Sequence, residues 1–428
     1  MRFNLVFWII VVITVVQFVW GQTLSALNRS RMSEVMPPEL VGIYEPDEYA
    51  RQQKYQKANS KASLVEQSCM TLLLLAVLFT GALGWLENLL ASRLAHPILL
   101  AVAFVALVVV LLTLVAVPFS YYDTFVIEQR FGFNKTTRAL FWRDTLVNML
   151  LIALLASVVI GAVVFFIGRA PERWWLWAWG VLTLFSVGLN YFYSELIVPL
   201  FNKQTPLEEG VLRASLLAMA KRTDFGISDI YLIDGSKRST KANAYFAGFG
   251  NKKRICLYDT LLDQMGTDEI TAVLAHEIGH YKKHHIPLNM AIGVVLTGVQ
   301  LFLMSLFLKS PALATALGSK TGEASVVLGI LAFGLLFGPI SELLGLGQNI
   351  LSRYNEYQAD AFAQHHGFAI PLVEGLKKIS SQALSNLTPH PLVVFWEYSH
   401  PTLLQRMEAL RESAGSNEFK SNHLPTVI

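Results

Sequence analysis

Residues 97–120 read PILLAVAFVALVVVLLTLVAVPFS, a stretch of 24 residues with no charged side chain. A helix needs about 20 apolar residues to cross the roughly 30 Å hydrocarbon core of a bilayer. Six other stretches approach or exceed this length, at 5–20, 69–90, 145–168, 174–201, 286–308 and 325–351. The sequence therefore predicts a mainly α-helical, multi-pass membrane protein with seven transmembrane helices.

The composition agrees with a membrane protein and excludes several other classes. Only 15% of the 428 residues are charged and 53% are hydrophobic, whereas soluble proteins carry roughly 25% charged residues. A net charge of +3 is too balanced to indicate a nucleic-acid partner. The two cysteines, Cys69 and Cys256, lie far apart, which argues against a disulfide framework and a thiolate metal site. Any metal would be held by His, Asp or Glu.

The positions of the basic residues predict an orientation. All Lys and Arg lie outside the seven stretches, and 28 of the 34 fall on the side of the loops after the first, third and fifth stretches and of the C-terminal tail. Short cytoplasmic loops are enriched in Lys and Arg. We therefore expect the N-terminus outside and the C-terminus in the cytoplasm. The compartment would be the inner membrane of a bacterium or the endoplasmic reticulum of a eukaryote.

The predicted spans divide the chain into four segments. Residues 1–201 hold spans one to five, 202–285 form a cytoplasmic segment, 286–351 hold spans six and seven, and 352–428 form a second cytoplasmic segment.

Within 202–285 the pattern changes from short strands to a helix. DIYLI at 229–233 and RICLY at 254–258 are typical of strands, and NAYF at 243–246 is a third candidate. A helix begins at Thr267, and Pro287 should break or kink it as it enters the membrane. The segment is thus expected to form a small α+β unit.

The predicted helix carries the sequence His276-Glu277-Ile278-Gly279-His280. Positions i and i+4 share one helix face, so both imidazoles can bind one zinc ion, and Glu277 can act as general base on a metal-activated water. Two surface histidines on a helix that binds no metal could have the same spacing. The zinc interpretation therefore needs a third ligand for support.

Three sources of a third ligand can be compared. The metzincin pattern requires Gly and His three and six residues beyond His280, where this chain has Lys283 and Ile286. His284 lies one turn further on, but three consecutive turns converge poorly on one ion. With His285 and the neighbouring lysines it is more simply a basic collar at the membrane surface.

The third source is NEYQAD at 355–360, just after the last span. Glu356 and Asp360 stand at i and i+4, so Glu356 can ligate zinc while Asp360 orients a ligand histidine. A solvated acidic helix face remains the alternative for this pair.

The chain resembles a known family at four motifs in order. These are STKANAYFAGFG at 239–250, HEIGH at 276–280, SRYNEYQADAFA at 352–363 and SHPTLLQR at 399–406. Together they are similar to the zinc-dependent CAAX prenyl endopeptidase family, seven-span membrane gluzincins that process prenylated C-a-a-X proteins. The resemblance covers essentially the whole chain. It implies seven helices around a water-filled chamber, with a gluzincin-like zinc protease domain at one end.

The resemblance also implies residue roles and partners. One Zn²⁺ would be bound by His276, His280 and Glu356, with Glu277 as the catalytic base. Asn243 would bind substrate backbone from an edge strand, and His400 would stabilise the transition state. The partners expected are a peptide or protein substrate, prenylated in the family's type members, and membrane lipid. The protein is expected to act as a monomer, and Arg406 either pairs with an acid near the metal or lies on a helix surface.

Three other functions are alternatives to a CAAX prenyl endopeptidase. An intramembrane site-two-type protease is disfavoured because HEIGH is flanked by charged residues, and no N-x-x-P-x-x-x-x-D-G partner is present. In a cell without prenylated proteins, quality control of membrane proteins would be the better role for the same protease. From a different class, a transporter or receptor could use zinc structurally, and a closed four-ligand site would identify it. Glu87, Glu195 and Glu342 in or near apolar stretches are expected to face the interior.

Overall fold

The N-terminal half of the protein is helical. The computed structural model describes residues 3–33, 35–227, 229–247 and 253–415. The first seven helices are α1 (Leu5–Ser30), α2 (Pro46–Thr80), α3 (Ala82–Ala91), α4 (Pro97–Tyr122), α5 (Arg138–Arg169), α6 (Trp174–Phe192) and α7 (Val198–Phe201). A π-helical turn extends α4 to Glu128, and another joins α6 to α7.

A small α+β unit follows. Its elements are β1 (Gln204–Pro206), α8 (Val211–Arg222), β2 (Asp229–Ile233), β3 (Ala244–Ala247), β4 (Arg254–Tyr258), α9 (Asp259–Gln264) and α10 (Thr267–Lys282). The sheet order is β1-β2-β4-β3, with β2 and β4 parallel and both outer pairs antiparallel. The two predicted strands at 229–233 and 254–258 are confirmed. The third begins one residue later than predicted, and the three-residue β1 was missed.

The remaining helices return to the membrane and leave it again. They are α11 (His285–Phe307), α12 (Pro311–Ala316), α13 (Val326–His365), α14 (Ala369–Gln382), α15 (Pro391–Glu397) and α16 (Leu403–Gly415). The 40-residue α13 runs without interruption through the predicted boundary at 351. Because α13 is continuous, the position of Glu356 is fixed rigidly to the seventh span.

Among the residues that the structure describes, seven helices are long and apolar enough to cross a membrane, as predicted. These seven helices contact one another in a closed ring in the order α1, α2, α4, α5, α6, α11 and α13, with the short α3 linking α2 to α4 and α13 returning to α1. Only 6–33% of the residues in their most apolar windows are buried. Helices in a tight bundle would bury a broad stripe. The low burial instead fits a ring with one surface towards lipid and another towards a chamber.

The second predicted span, 69–90, is wrong in one respect because it is not a single helix. The chain breaks at Gly81, which has φ of +69°, and α3 begins beside Gly318. A Cβ on Gly84 would lie 2.2 Å from the Gly318 carbonyl carbon, so neither position has room for a side chain. This close approach joins α2 and α3 to the loop after α12.

Two of the three acids in the apolar stretches have partners. Glu87 accepts a hydrogen bond from Ser325 Oγ. Glu195 lies 2.8 Å from Arg254 of β4, which joins the fifth span to the sheet. Glu342 is exposed on α13.

Candidate active site

Both histidines of HEIGH lie on one face of α10, and their rings meet edge to face at 4.8 Å. Their Nε2 atoms are 3.1 Å apart. The opposite face of α10 packs into the core of the α+β unit through Ile270, Leu274 and Ile278. This packing fixes the direction in which His276 and His280 point.

Glu356 of α13 lies directly opposite the two histidines. Its Oε1 is 3.2 Å from His280 Nε2, and its Oε2 is 3.5 Å from His276 Nε2. The Glu356 side chain is buried, 4% exposed, although it carries a charge. The structure thus brings together the three side chains predicted to bind a metal, and their ligand atoms all lie within 4.8 Å of one another.

His276 is held from behind by Asp360, one helical turn after Glu356. His276 Nδ1 is 2.8 Å from Asp360 Oδ1, so Nδ1 carries a proton and donates a hydrogen bond to the carboxylate. Burial by itself lowers the pKa of His276, but the hydrogen bonds to Asp360 and Glu356 outweigh burial and raise that pKa to about 9. The structure therefore places Asp360 where an orienting partner of His276 was predicted.

Arg406 of α16 neutralises this carboxylate. Its Nε and Nη2 donate to the two oxygens of Asp360 at 2.8 and 2.6 Å, and its Nη1 is 3.4 Å from Glu356 Oε2. Arg406 is only 8% exposed, so of the two alternatives raised above, the pairing with an acid near the metal site is the one observed. A planar guanidinium suits such a two-point contact.

His285 was expected to belong to a basic collar, and this expectation is wrong. The side chain is 3% exposed. Its Nδ1 lies 2.9 Å from His280 Nδ1, and its Nε2 lies 2.9 Å from Gln358 Oε1. His284, by contrast, is exposed and has φ of +60°. The turn at His284 directs His285 back towards the site, which sequence spacing could not show.

His400 lies at the open side of the cluster. Its Nε2 is 3.4 Å from Glu356 Oε1, and its side chain is 63% exposed. Its Nδ1 is 2.9 Å from Ser399 Oγ. His400 also lines a cavity of about 370 Å³ between the end of α15 and the loop after α14. The imidazole is therefore within reach of a molecule bound over the cluster.

Asn243 lies immediately before β3, which is an edge strand of the sheet. Its carbonyl accepts from Tyr258 N at 3.1 Å, while its side chain is exposed and caps Ala244 N at 2.8 Å. Within the described residues, no hydrogen bond or ion pair joins Asn243 to the metal-binding cluster. The stretch 248–250 of the motif lies outside the described residues.

The donor set fits a tetrahedral zinc ion. Bonds of about 2.0–2.1 Å in a tetrahedral site separate ligand atoms by about 3.3 Å, and here the separations are 3.1, 3.2 and 3.5 Å. Glu356 Oε2 is buried and has no hydrogen-bond partner among the described residues. The Nδ1 atom of His276 contacts Asp360, and the Nδ1 atom of His280 contacts His285. The Nε2 atoms of both histidines therefore remain to bind a cation.

Two family models match consecutive parts of the chain. Residues 25–203 match the family described as CAAX prenyl protease N-terminal, five membrane helices. Residues 206–414 match peptidase family M48.

Individual relatives match over nearly the whole chain. CAAX prenyl protease 1 homolog of rice is 33% identical, covering 91% of this chain and 93% of the relative. CAAX prenyl protease 1 of Saccharomyces cerevisiae is 32% identical, with 93% of each covered. The crystal structure of S. mikatae Ste24p superposes with a TM-score of 0.91 at 30% identity, covering 96% of this chain and all of that one.

The seven-span ring and the His-Glu cluster define a membrane-embedded metallopeptidase. The alternative of a transporter or receptor with a structural zinc is therefore excluded. The chain belongs to the CAAX prenyl protease family, within peptidase family M48.

Proposed function

We propose that the protein is a zinc endopeptidase that cleaves prenylated C-a-a-X substrates on the cytoplasmic side of the membrane. The observation that carries the proposal is the convergence of His276, His280 and Glu356, with Glu277 next to His276 on α10. In the part of the chain that the structure describes, this group offers three ligands. Three protein ligands and an open position are typical of catalytic zinc, whereas structural sites are closed by four.

Zinc bound by these three residues would polarise the scissile carbonyl and lower the pKa of the attacking water. Glu277 follows His276 on α10 and is half-buried, so it can take the proton from that water and deliver it to the leaving amine. His400 Nε2, on the exposed side of Glu356, can donate a hydrogen bond to the oxyanion that forms on the carbonyl.

The edge strand provides a way to align the substrate. Peptides can add as an extra strand to an exposed sheet edge, where backbone hydrogen bonds give affinity without demanding particular side chains. We propose that the substrate binds along β3 and that Asn243 orients its backbone. An apolar chamber wall would accept the isoprenoid, and every proposed ligand comes from one chain, so a monomer suffices.

Cleavage of a lipidated peptide tests the proposal. Purified protein in lipid nanodiscs should cleave a farnesylated C-a-a-X peptide, while Glu277→Gln should bind the same zinc content and cleave none. A zinc chelator should abolish cleavage, and added zinc should restore it. Retained cleavage by the Glu277→Gln variant would overturn the mechanism. Equal cleavage of the same peptide without its lipid would overturn the prenyl dependence and favour a quality-control role.

The proposed orientation rests on the 28 of 34 basic residues that share the side of the metal cluster. It is tested by labelling single cysteines with a membrane-impermeant maleimide in a background without Cys69 and Cys256. With the protein expressed in a bacterial inner membrane, Lys320→Cys, in the loop after α12, should react in intact cells. Lys283→Cys, at the end of α10, should react only after permeabilisation. The reverse pattern would place the active site outside.

A further inference from the structure

His285 is buried beside the metal-binding cluster although it belongs to neither HEIGH nor NEYQAD. It lies at the first position of α11, and its ring meets that of His280 edge to face, with centroids 5.0 Å apart. In a continuous helix, residues five apart point about 140° away from each other. His280 and His285 meet because α10 ends at Lys282 and His284 adopts a left-handed conformation with φ of +60°.

The contacts of His285 determine which nitrogens carry protons. Gln358 Oε1 can only accept, so the 2.9 Å contact requires a proton on His285 Nε2. A neutral imidazole then has an unprotonated Nδ1, which accepts a hydrogen bond from His280 Nδ1–H at 2.9 Å. His280 in turn is left with a bare Nε2, the atom that lies 3.2 Å from Glu356.

The two ligand histidines are therefore held by different chemistry. A carboxylate, itself paired with Arg406, orients His276. A second imidazole and an amide, which add no charge, orient His280. Gln358 lies two residues after Glu356 on α13, so the helix that supplies the third ligand also supplies the end of this hydrogen-bonded chain.

We propose that His285 and Gln358 are positioning residues that fix the tautomer and ring orientation of His280 for metal binding. The inference rests on the proposed metal site. Outer partners of ligand histidines typically contribute 10–100-fold to metal affinity. Without an acceptor at 285, the His280 ring can rotate or place its proton on Nε2, and either change removes one ligand.

Metal affinity tests this role separately from catalysis. His285→Leu and Gln358→Leu remove the acceptors, whereas His285→Asn keeps an amide oxygen near the position of Nδ1. The neighbouring His284→Asn is the matched control, because Asn tolerates the left-handed conformation and His284 is exposed. The readouts are the zinc Kd from chelator competition and the visible spectrum of the cobalt-substituted protein.

We expect both Leu variants to bind zinc roughly 10–100-fold more weakly, with an altered cobalt spectrum. His285→Asn should recover most of the affinity, His284→Asn should match the parent, and excess zinc should restore cleavage to the Leu variants. Unchanged zinc affinity in His285→Leu, or an equal loss in His285→Asn, would overturn the inference. If His285→Leu fails to fold, the zinc affinities of Gln358→Leu and His285→Asn test the inference instead. A parent protein that binds zinc but cleaves no peptide would overturn the proposed function and leave this inference standing.

Discussion

Gly279 of α10 lies against Ala359 of α13 so closely that a Cβ at position 279 would be 2.9 Å from the Ala359 Cα. The contact lies between the two ligand histidines on one helix and between Glu356 and Asp360 on the other. A backbone atom cannot move aside as a flexible side chain can. The glycine inside HEIGH therefore sets the distance between α10 and α13, and with it the separation of the three ligand atoms.

Gly279→Ala should push α10 away from α13. Overpacking of this kind costs about 1–3 kcal/mol of stability, and we expect zinc affinity to fall by at least tenfold because Glu356 moves with α13. Thermal unfolding and chelator competition measure the two effects. Gly293→Ala on α11 is the control, since a Cβ there would meet no atom of another described segment within 4 Å. Parental zinc affinity in Gly279→Ala would show that the helices separate without disturbing the site.

Arg406→Met should destabilise the protein strongly. It would remove the arginine cation that pairs with the buried carboxylates of Asp360 and Glu356, and breaking such a buried pair costs about 3–5 kcal/mol. Arg406→Lys keeps the charge but cannot reach both oxygens of Asp360, so an intermediate loss is expected. Unfolding of the metal-free protein is the measurement, with Arg411→Met on the exposed face of α16 as control. Equal stability of the Met and Lys variants would contradict the role of the charge.

The sequence predicted the elements that depend on local pattern. Seven long apolar stretches give seven spans, because the hydrocarbon thickness allows few alternatives. Alternating and β-branched residues identify DIYLI and RICLY as strands, and i to i+4 spacing puts both histidines on one face of α10.

The sequence did not predict features that depend on contacts between distant segments. The break at Gly81 lies against the backbone of Gly318, more than 200 residues away. His285 becomes part of the site through a left-handed residue and a glutamine on another helix. β1 has three residues, one of them Pro206, so no alternation could identify it. These features arise from packing, for which a single sequence carries no direct signal.

Arg353 holds the loop that carries His400. Its guanidinium donates to the carbonyls of Val394 and Phe395 at 3.1 and 3.2 Å and to that of Tyr398. These carbonyls lie in and just after the last turn of α15, where the negative end of the helix dipole favours a cation. The position of His400 over Glu356 therefore depends on a residue of α13.

Arg353→Lys should lower kcat for peptide cleavage while leaving zinc affinity unchanged, because a lysine cannot satisfy three carbonyls in fixed geometry. The loss should not exceed that of His400→Ala, for which removal of an oxyanion donor predicts about 10²–10³-fold. In the double variant, the effects should not add, since both act through His400. Arg411→Lys is the control. Fully additive losses would show that Arg353 acts independently of His400.

The raised pKa of His276 predicts how pH affects the metal-free protein. The pKa is about 9 in the folded state and about 6.5 in an unfolded chain, so the folded state binds the proton more tightly. This stabilisation is fully present below pH 6.5 and is lost as pH rises through about 9. We expect the Tm of the chelator-treated protein to fall between pH 7 and pH 9.5, and to fall less in His276→Gln. The same proton competes with zinc, so in the parent protein zinc affinity should rise over that interval. Parallel pH profiles of Tm for the parent and His276→Gln would show that another group is responsible.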